Sequence, residues 1–267
     1  MSKDIEIICI GNEILNGTTI EKNSSWLATR IRRIGGNVSR ITIIRDEFKE
    51  IEFTIKEALN RRPRWILTSG GLGPTYDDIT IESIGKALKK KFIYDPIALA
   101  ILKRNYFNHG IKKLNKYQLK MSLVPENSQI IDNIVGTAPS VLIRHRETKI
   151  ICLPGVPIEL RHIFKANILK MIMADHKGIF FKEQFLKTIK IRESQIAKFL
   201  ETVVEKYDEK EYDFYIKTHA KSPTSRVPKM NIYVSIKGYD EKIVNMRFEN
   251  IINKIKKEIY RLEGEIL

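Results

Sequence analysis

Apolar runs and helical stripes alternate along the first two-thirds of the chain. Near the N-terminus, IEIICIG is an almost unbroken apolar run, the pattern of a strand covered on both faces. A stripe of Leu27, Ile31 and Ile34 follows at helical spacing, with Asn23 and Ser24 offering cap oxygens before it and Gly35 and Gly36 closing it. NVSRITIIRD predicts the second strand. Ile51, Ile55, Ala58 and Leu59 mark another amphipathic helix, which stops near Pro63. The strand RWILTS, the loop TSGGLGPTYDD and a helix carrying Ile81, Ile84 and Leu88 come next. This βαβ series predicts an α/β fold, a mostly parallel sheet wrapped by helices.

The segment DPIALAILKRNYFNHG opens with an Asp cap and a Pro at the first helical position. APSVLIR and KIICLPG flank HRET, the pattern of a hairpin, and PIELRHIFKANILKMIM is a further helix. Around Asp175 to Phe181 the pattern resets. Beyond it a strand is expected at 184–191, a helix at 194–207, strands at 212–218 and 230–237, and a helix at 240–262. The expected domains are therefore 1–174, the α/β unit, and 175–267, a smaller α+β unit with the element order of a KH domain. AKSPTSRVPK, with its two prolines, is expected to be an exposed, mobile loop.

Composition narrows the class. No run of about 18 apolar residues is present, so no membrane span is expected. MSKDIEIICIG lacks the features of a secretory signal, and a cytoplasmic protein is expected. Cys9 and Cys152 each sit in an apolar run and should pack as small hydrophobes. The histidines form no ligand spacing with them, so no structural zinc site is expected. Against 32 Asp and Glu stand 47 Lys and Arg, a net charge of +15 that draws phosphate in nucleotides or nucleic acid. The lysines are spread along the chain, and the charge is either a solvated surface or a nucleic-acid face. A KH domain clamps RNA with a Gly-X-X-Gly loop. The connection from Tyr207 to Tyr212 has no glycine, which argues against sequence-specific RNA reading.

The loop at 68–78 is the chemical candidate. Gly70, Gly71 and Gly73 permit close approach, and amides at a strand-to-helix junction cradle phosphate. Carboxylates beside such a cradle repel an anion unless a divalent cation intervenes. Asp77 and Asp78 are thus either helix caps or cation and phosphate-site residues. Asp46 either starts a helix or joins the site, Glu13 either pairs with a lysine or joins it, and Asn23 and Ser24 are caps or ligand contacts. Asp46 and Asp78 follow the second and third strands, and could share one cation if those strands are neighbours. In CLPGVPIEL, Gly155, Val156 and Glu159 either line the ligand wall or only accompany a helix that begins at Pro157. His219 is either a surface histidine or one that reaches a partner subunit's site.

GNEILNGTTIEKNSSWLA, TSGGLGPTYDDIT, VGTAPS and LPGVPIEL occur in the order seen in the CinA family. The first two also resemble motifs of the MoaB/MogA molybdopterin-binding domain. The resemblance covers residues 4 to about 172 by motif. The tail is similar to the small middle domain of CinA proteins, and nothing resembling their C-terminal deamidase domain follows. The resemblance implies a MoaB/MogA-like three-layer domain and a site for a pterin phosphate or an adenine-dinucleotide-like diphosphate. It implies hydrolysis of ADP-ribose-like nucleotides with Mg, Mn or Co. The alternatives are molybdopterin binding or adenylylation, or a basic nucleic-acid-binding module without catalysis; nicotinamide-mononucleotide deamidation is not expected. By resemblance Gly70, Gly71, Gly73 and Thr75 form the phosphate loop, and Asp46 and Asp78 are the functional acids, with Glu13 a third metal ligand. Asn12 stands where the family has an aspartate, and Ser140 where a glycine is usual. Both related families imply a homo-oligomer.

Overall fold

The computed structural model describes residues 4–207, 212–221 and 227–267. They divide into two compact units, Met1–Arg32 with Gly36–Asp175, and Arg33–Gly35 with His176–Leu267. The first unit runs β1 (Asp4–Ile10), α1 (Asn12–Leu15), α2 (Asn23–Arg32), β2 (Asn37–Ile44), α3 (Phe48–Asn60), β3 (Trp65–Ser69), α4 (Thr80–Ala87) and β4 (Phe92–Tyr94). It continues with α5 (Pro96–Asn108), α6 (Lys116–Lys120), β5 (Leu123–Pro125), β6 (Gln129–Ile131), β7 (Ser140–His145) and β8 (Thr148–Leu153). It ends with α7 (Pro157–Ile163), a π-helical turn (Phe164–Ile168) and α8 (Leu169–Asp175).

Six strands form a sheet in the order β2-β1-β3-β8-β7-β6. β2, β1, β3 and β8 are parallel, and β7 and β6 complete one edge antiparallel. The sheet is mostly parallel, as the βαβ pattern predicts. β1, β3 and β8 read as apolar runs because both their faces are buried. Ile8, Ile10, Ile66, Ile150 and Cys152 share one core with Ile51 and Ile55 of α3, Ile84 of α4 and Leu102 of α5. The alternate positions Ile7, Leu67, Ile151 and Leu153 are equally buried, on the opposite face. At the edge, β2 leaves Ile41 and Ile43 exposed.

The expected start of α5 holds: the Asp95 carboxylate accepts from the N–H groups of Ile97 and Ala98, and Pro96 takes the first helical position. HRET does turn a hairpin, β7 pairing antiparallel with β8. Both cysteines are free and buried, and burial pushes each thiol up to about 12, so neither forms a thiolate near neutral pH.

The second unit runs β9 (Phe180–Ile189), α9 (Glu193–Tyr207), β10 (Asp213–Ala220), β11 (Lys229–Gly238), α10 (Glu241–Arg261) and β12 (Glu265–Ile266). Its antiparallel sheet has the order β10-β11-β9-β12. Ile196, Leu200 and Val203 of α9 and Val244, Phe248, Ile251 and Ile255 of α10 bury against Leu186, Ile232 and Val234 of the strands. The connection at 208–211, where a Gly-X-X-Gly loop would stand, lies outside the described residues, as does 222–226 of AKSPTSRVPK. Among the described residues no helix is long and apolar enough to cross a membrane.

One ion cluster ties the last helix of the first unit to its sheet. Asp175, closing α8, accepts from Lys149 Nζ at 2.7 Å, Trp65 Nε1 at 2.8 Å and Arg64 Nη2 at 3.1 Å. Burial opposes the carboxylate's charge, but the donors Arg64, Lys149 and Trp65 outweigh it and hold the pKa at about 2. Its folded pKa lies below the ordinary value of 3.8, so this stabilisation is present above that value and is lost as pH falls towards 2. Asp175→Asn, which keeps an acceptor for Trp65, should lower stability in urea at neutral pH by on the order of 2 kcal/mol. The difference from wild type should shrink steadily as the pH is taken from about 4 towards 2. A difference that did not vary with pH would show that the cluster acts by shape and not by charge.

Candidate functional site

Because β1, β2, β3 and β8 are parallel, their carboxyl ends share one rim. β7 runs the other way, so the loop entering it reaches the same rim. The chain passes from β1 to β2 on one side and returns to β3 on the other, the kind of switch point beside which open α/β sheets bind ligands. A cleft of about 440 Å³ opens there. Glu13 comes to it from beyond β1, Asp46 from beyond β2, and Gly70, Gly71, Gly73, Thr75, Asp77 and Asp78 from beyond β3. Thr137 and Ala138 enter from the loop before β7, and Gly155, Val156 and Glu159 from beyond β8.

The β3–α4 loop is held against the sheet by its backbone. The Gly70 N–H donates to the Leu153 carbonyl at 3.0 Å, and Thr80 Oγ1 donates back to the Gly70 carbonyl at 3.0 Å. Gly70 has φ 112°, and a Cβ there would collide with the Ile10 carbonyl oxygen, so no other residue fits. The N–H groups of Gly71, Leu72 and Gly73 have no acceptor among the described residues. Three consecutive unpaired amides in a strand-to-helix loop are what an anion requires.

The acids surround that loop. Asp46 Oδ2 accepts the Asn12 N–H at 2.8 Å. Asp78 Oδ2 accepts the Thr75 N–H at 2.8 Å and Thr75 Oγ1 at 2.6 Å, and Asp77 Oδ1 shares the same hydroxyl. Lys120 Nζ clamps the loop from outside, donating to the carbonyls of Thr75 at 2.7 Å and Asp78 at 2.9 Å. Burial pushes the Asp46 carboxyl above its ordinary value, and the charges of Glu13, Asp77 and Asp78 push it the same way, while the Asn12 N–H opposes them.

Several local expectations give way. β2 and β3 are not neighbours, because β1 lies between them; Asp46 and Asp78 leave strands two spacings apart, about 9.6 Å. Neither acid caps a helix: Glu47 precedes α3 and Ile79 precedes α4, both without a side-chain cap. Glu21 takes the capping role expected of Asn23 and Ser24, accepting the Ser24 N–H at 2.8 Å and the Ser24 hydroxyl. Asn23 Nδ2 instead donates to Ser69 Oγ at 3.0 Å and the Gly155 carbonyl at 2.7 Å. Asn23 therefore braces the rim, and neither Asn23 nor Ser24 lines the cleft. Glu13 lines it and forms no ion pair among the described residues. His219 is exposed on β10, opposite Asn231 of β11.

Two residues that set the far wall, Asn133 and Asn105, are ones the sequence did not announce. Asn133 Nδ2 donates to Glu159 Oε2 at 2.7 Å and to the Ala138 carbonyl at 2.8 Å, while its Oδ1 accepts the Gly136 N–H at 3.0 Å. Asn105 Nδ2 in turn donates to the Asn133 carbonyl at 2.8 Å. Ser140 is fully buried beside this loop, and its hydroxyl has no partner among the described residues. The only signal in the chain is the place of Asn133, three residues before GTAP.

Five carboxylates line the cleft, and among the described residues no Lys, Arg or His does. Asp46 uses one oxygen on a single N–H and keeps its charge unneutralised. Hard oxygen donors lacking a counter-charge fit a divalent cation such as magnesium. No group of three or more His, Cys, Asp or Glu among the described residues is arranged to hold a metal ion. Glu13, Asp46 and Asp78 are thus not a ready three-carboxylate set, and a cation here would use one or two of them with ligand oxygens and water.

A family model described as a probable molybdopterin binding domain matches residues 6–174. A protein of Sulfurisphaera tokodaii is 36% identical over 262 residues, 98% of this chain and 97% of its own length. One of Sulfolobus acidocaldarius is 35% identical over 261 residues, 98% of this chain and 96% of its own. Among solved structures, the protein CinA of unknown function from Thermoplasma acidophilum matches 64% of this chain and 98% of its own at 35% identity, with a TM-score of 0.60.

The raised Asp46 pKa has a consequence for the ligand-free protein. The folded state binds that proton more tightly than the unfolded chain, so the contribution is greatest below the unfolded pKa and falls as pH rises through the folded one. Asp46→Asn keeps an acceptor for the Asn12 N–H. Without divalent cations it should melt at a higher temperature than wild type at neutral pH, the gap closing in acid. A variant that melts lower at neutral pH would remove the case for an uncompensated charge.

Proposed function

The chain belongs to the family of probable molybdopterin-binding domains, with CinA of Thermoplasma among its relatives, and we propose that its cleft hydrolyses the diphosphate bond of ADP-ribose-like nucleotides with a divalent cation. One juxtaposition supports this reading above all. Three unpaired amides of the β3–α4 loop stand among carboxylates that have no cation of their own. Amides alone would take a bare anion and carboxylates alone a cation. Together they suit an anion that arrives with its counter-ion.

The chain's own groups divide the work. Gly71, Leu72 and Gly73 offer N–H groups to the phosphate oxygens. Asp78 Oδ2 is spent on Thr75, which fixes the loop, and leaves Oδ1 for the cation. Asp46 keeps Oδ2 on the Asn12 N–H, and its other oxygen takes a proton from the attacking water as the P–O bond to the bridging oxygen breaks and the leaving phosphate carries away the negative charge. Burial makes that oxygen more basic than an ordinary aspartate. A divalent cation, when bound, supplies positive charge that offsets the phosphate oxygens and polarises water. Glu13 and Glu159 border the opening, and the Asn133 amide holds Glu159 in place.

The family description favours a second reading, in which a pterin phosphate occupies the same cradle and is bound or adenylylated. Both readings use the same amides and acids, so only substrates separate them. Purified protein with ADP-ribose, FAD or NAD in magnesium, manganese or cobalt should release AMP. Asp78→Ala should lower kcat/KM at least about 100-fold, a loss of about 2.7 kcal/mol of transition-state stabilisation. No AMP from any of these, with turnover of molybdopterin and ATP instead, would favour the second reading and end the first.

A further inference from the structure

The smaller sheet ends in an open edge. β10 is the outermost strand of the order β10-β11-β9-β12 and pairs only with β11 among the described residues. Such an edge carries a row of N–H and C=O groups that can take a further strand. Beside it, a groove of about 370 Å³ runs between β10 and α9. Three consecutive residues of the strand, Ile216, Lys217 and Thr218, line this groove. Successive side chains of a strand point to opposite faces, so a groove reached by all three follows the edge of β10 and not one face. Two contacts set α9 antiparallel alongside. Thr218 Oγ1 donates to Glu193 at the start of the helix, and Tyr207 at its end packs on Phe214 with ring centroids 5.9 Å apart.

The helix side of the groove is acidic. Glu193, Ala197, Glu201 and Glu205 recur every four residues on one stripe of α9, next to the core-facing stripe of Ile196, Leu200 and Val203. Glu201 and Glu205 are exposed, and their carboxylates have no hydrogen bond or ion pair among the described residues. Exposed Val204 and half-buried Ile216 add apolar surface beside them. Three carboxylates thus stand against one cation, Lys217 of the strand itself, in a chain whose net charge is +15.

Charge decides among occupants. A nucleic-acid backbone would bring phosphates against the three acids. A second copy pairing antiparallel through its own β10 would place both α9 helices on one face of the joined sheet, acid against acid. We propose that the groove docks an extended basic segment of another protein, which pairs with β10 as a fifth strand beyond the four present. Main-chain hydrogen bonds supply the affinity, and the acidic stripe selects the charge. From Glu193 to Glu205 the helix rises about 18 Å, roughly the length of five or six strand residues. Lysine or arginine stems lie along Val204 and Ile216 while their charged ends reach Glu201 and Glu205. This surface is independent of the cleft and of any reaction there.

The test uses the full chain and a blocked heptapeptide of alternating lysine and valine, with calorimetry for affinity and amide hydrogen exchange for the place of binding. The peptide should bind at low salt and slow the exchange of alternate amides of β10, those not bonded to β11. Glutamate in place of every lysine, or N-methylation of all the peptide's amides, should abolish binding. The double variant Glu201→Gln, Glu205→Gln changes two exposed positions. It should bind the lysine peptide at least about tenfold more weakly with an unchanged melting temperature. No binding by wild type, binding without slowed exchange along β10, or full affinity in the double variant overturns the proposal. So does equal affinity for the glutamate or the N-methylated peptide. Slowing of the same amides by raised protein concentration alone would make the edge a contact between copies, and slowing by single-stranded DNA would make it a nucleic-acid surface; either result overturns the proposal.

Discussion

The approach of Gly70 to the Ile10 carbonyl is the contact on which the rim depends. It brings the end of β3 against the end of β1, closer than any side chain at position 70 would allow. Gly155 extends the same packing from beyond β8, where a Cβ would touch the Gly70 Cα at 3.4 Å. With three strand ends so close, the start of the loop leaving β3 is fixed against the rim. The acids then take their places around a backbone surface already fixed by sterics. A larger residue at position 70 would displace the cradle and its bordering carboxylates together.

Charge is distributed along the strands with opposite purposes at their two ends. At the amino ends of β3 and β8, Asp175 is satisfied by three donors and its charge is favoured. At the carboxyl ends, Asp46 has one N–H and three acidic neighbours, and its charge is disfavoured. An ion cluster that serves only folding tends to be neutralised within the chain. One left unneutralised weakens the ligand-free state and becomes favourable only when something binds, the familiar opposition between stability and function. That contrast separates these two aspartates more sharply than burial does, since both are partly covered.

The strands and long helices were legible because their residues answer to local rules. β1, β3 and β8 are apolar throughout since both faces are covered, and α3 and α10 repeat their apolar positions over several turns. α1, α6, β4, β5, β6 and β12 have two to five residues each, too few for any period to show. At the site, residue types were legible and partners were not. Asn23 and Ser24 have the right chemistry for caps, yet Glu21 caps and Asn23 reaches 132 residues ahead to Gly155. The separation of β2 from β3 by β1 is a pairing decision made by the whole sheet. Lys120 and Asn133 act on backbone carbonyls and on Glu159, contacts no spacing rule anticipates.

Asn12 shows how a departure from a motif is judged once partners are known. By resemblance an aspartate belongs there, and its loss removes a charge from the rim. What position 12 gives the site in this chain is its backbone N–H, which holds Asp46 Oδ2 at 2.8 Å. That hydrogen bond is indifferent to the side chain. Glu13, the next residue, still lines the cleft. An additional carboxylate at position 12 would join Glu13, Asp77 and Asp78 in raising the Asp46 pKa, making the ligand-free rim harder to ionise. With asparagine, Asp46 keeps its anchor and meets less opposing charge than an aspartate at position 12 would bring. The substitution tunes the acid that remains; it does not dismantle the site.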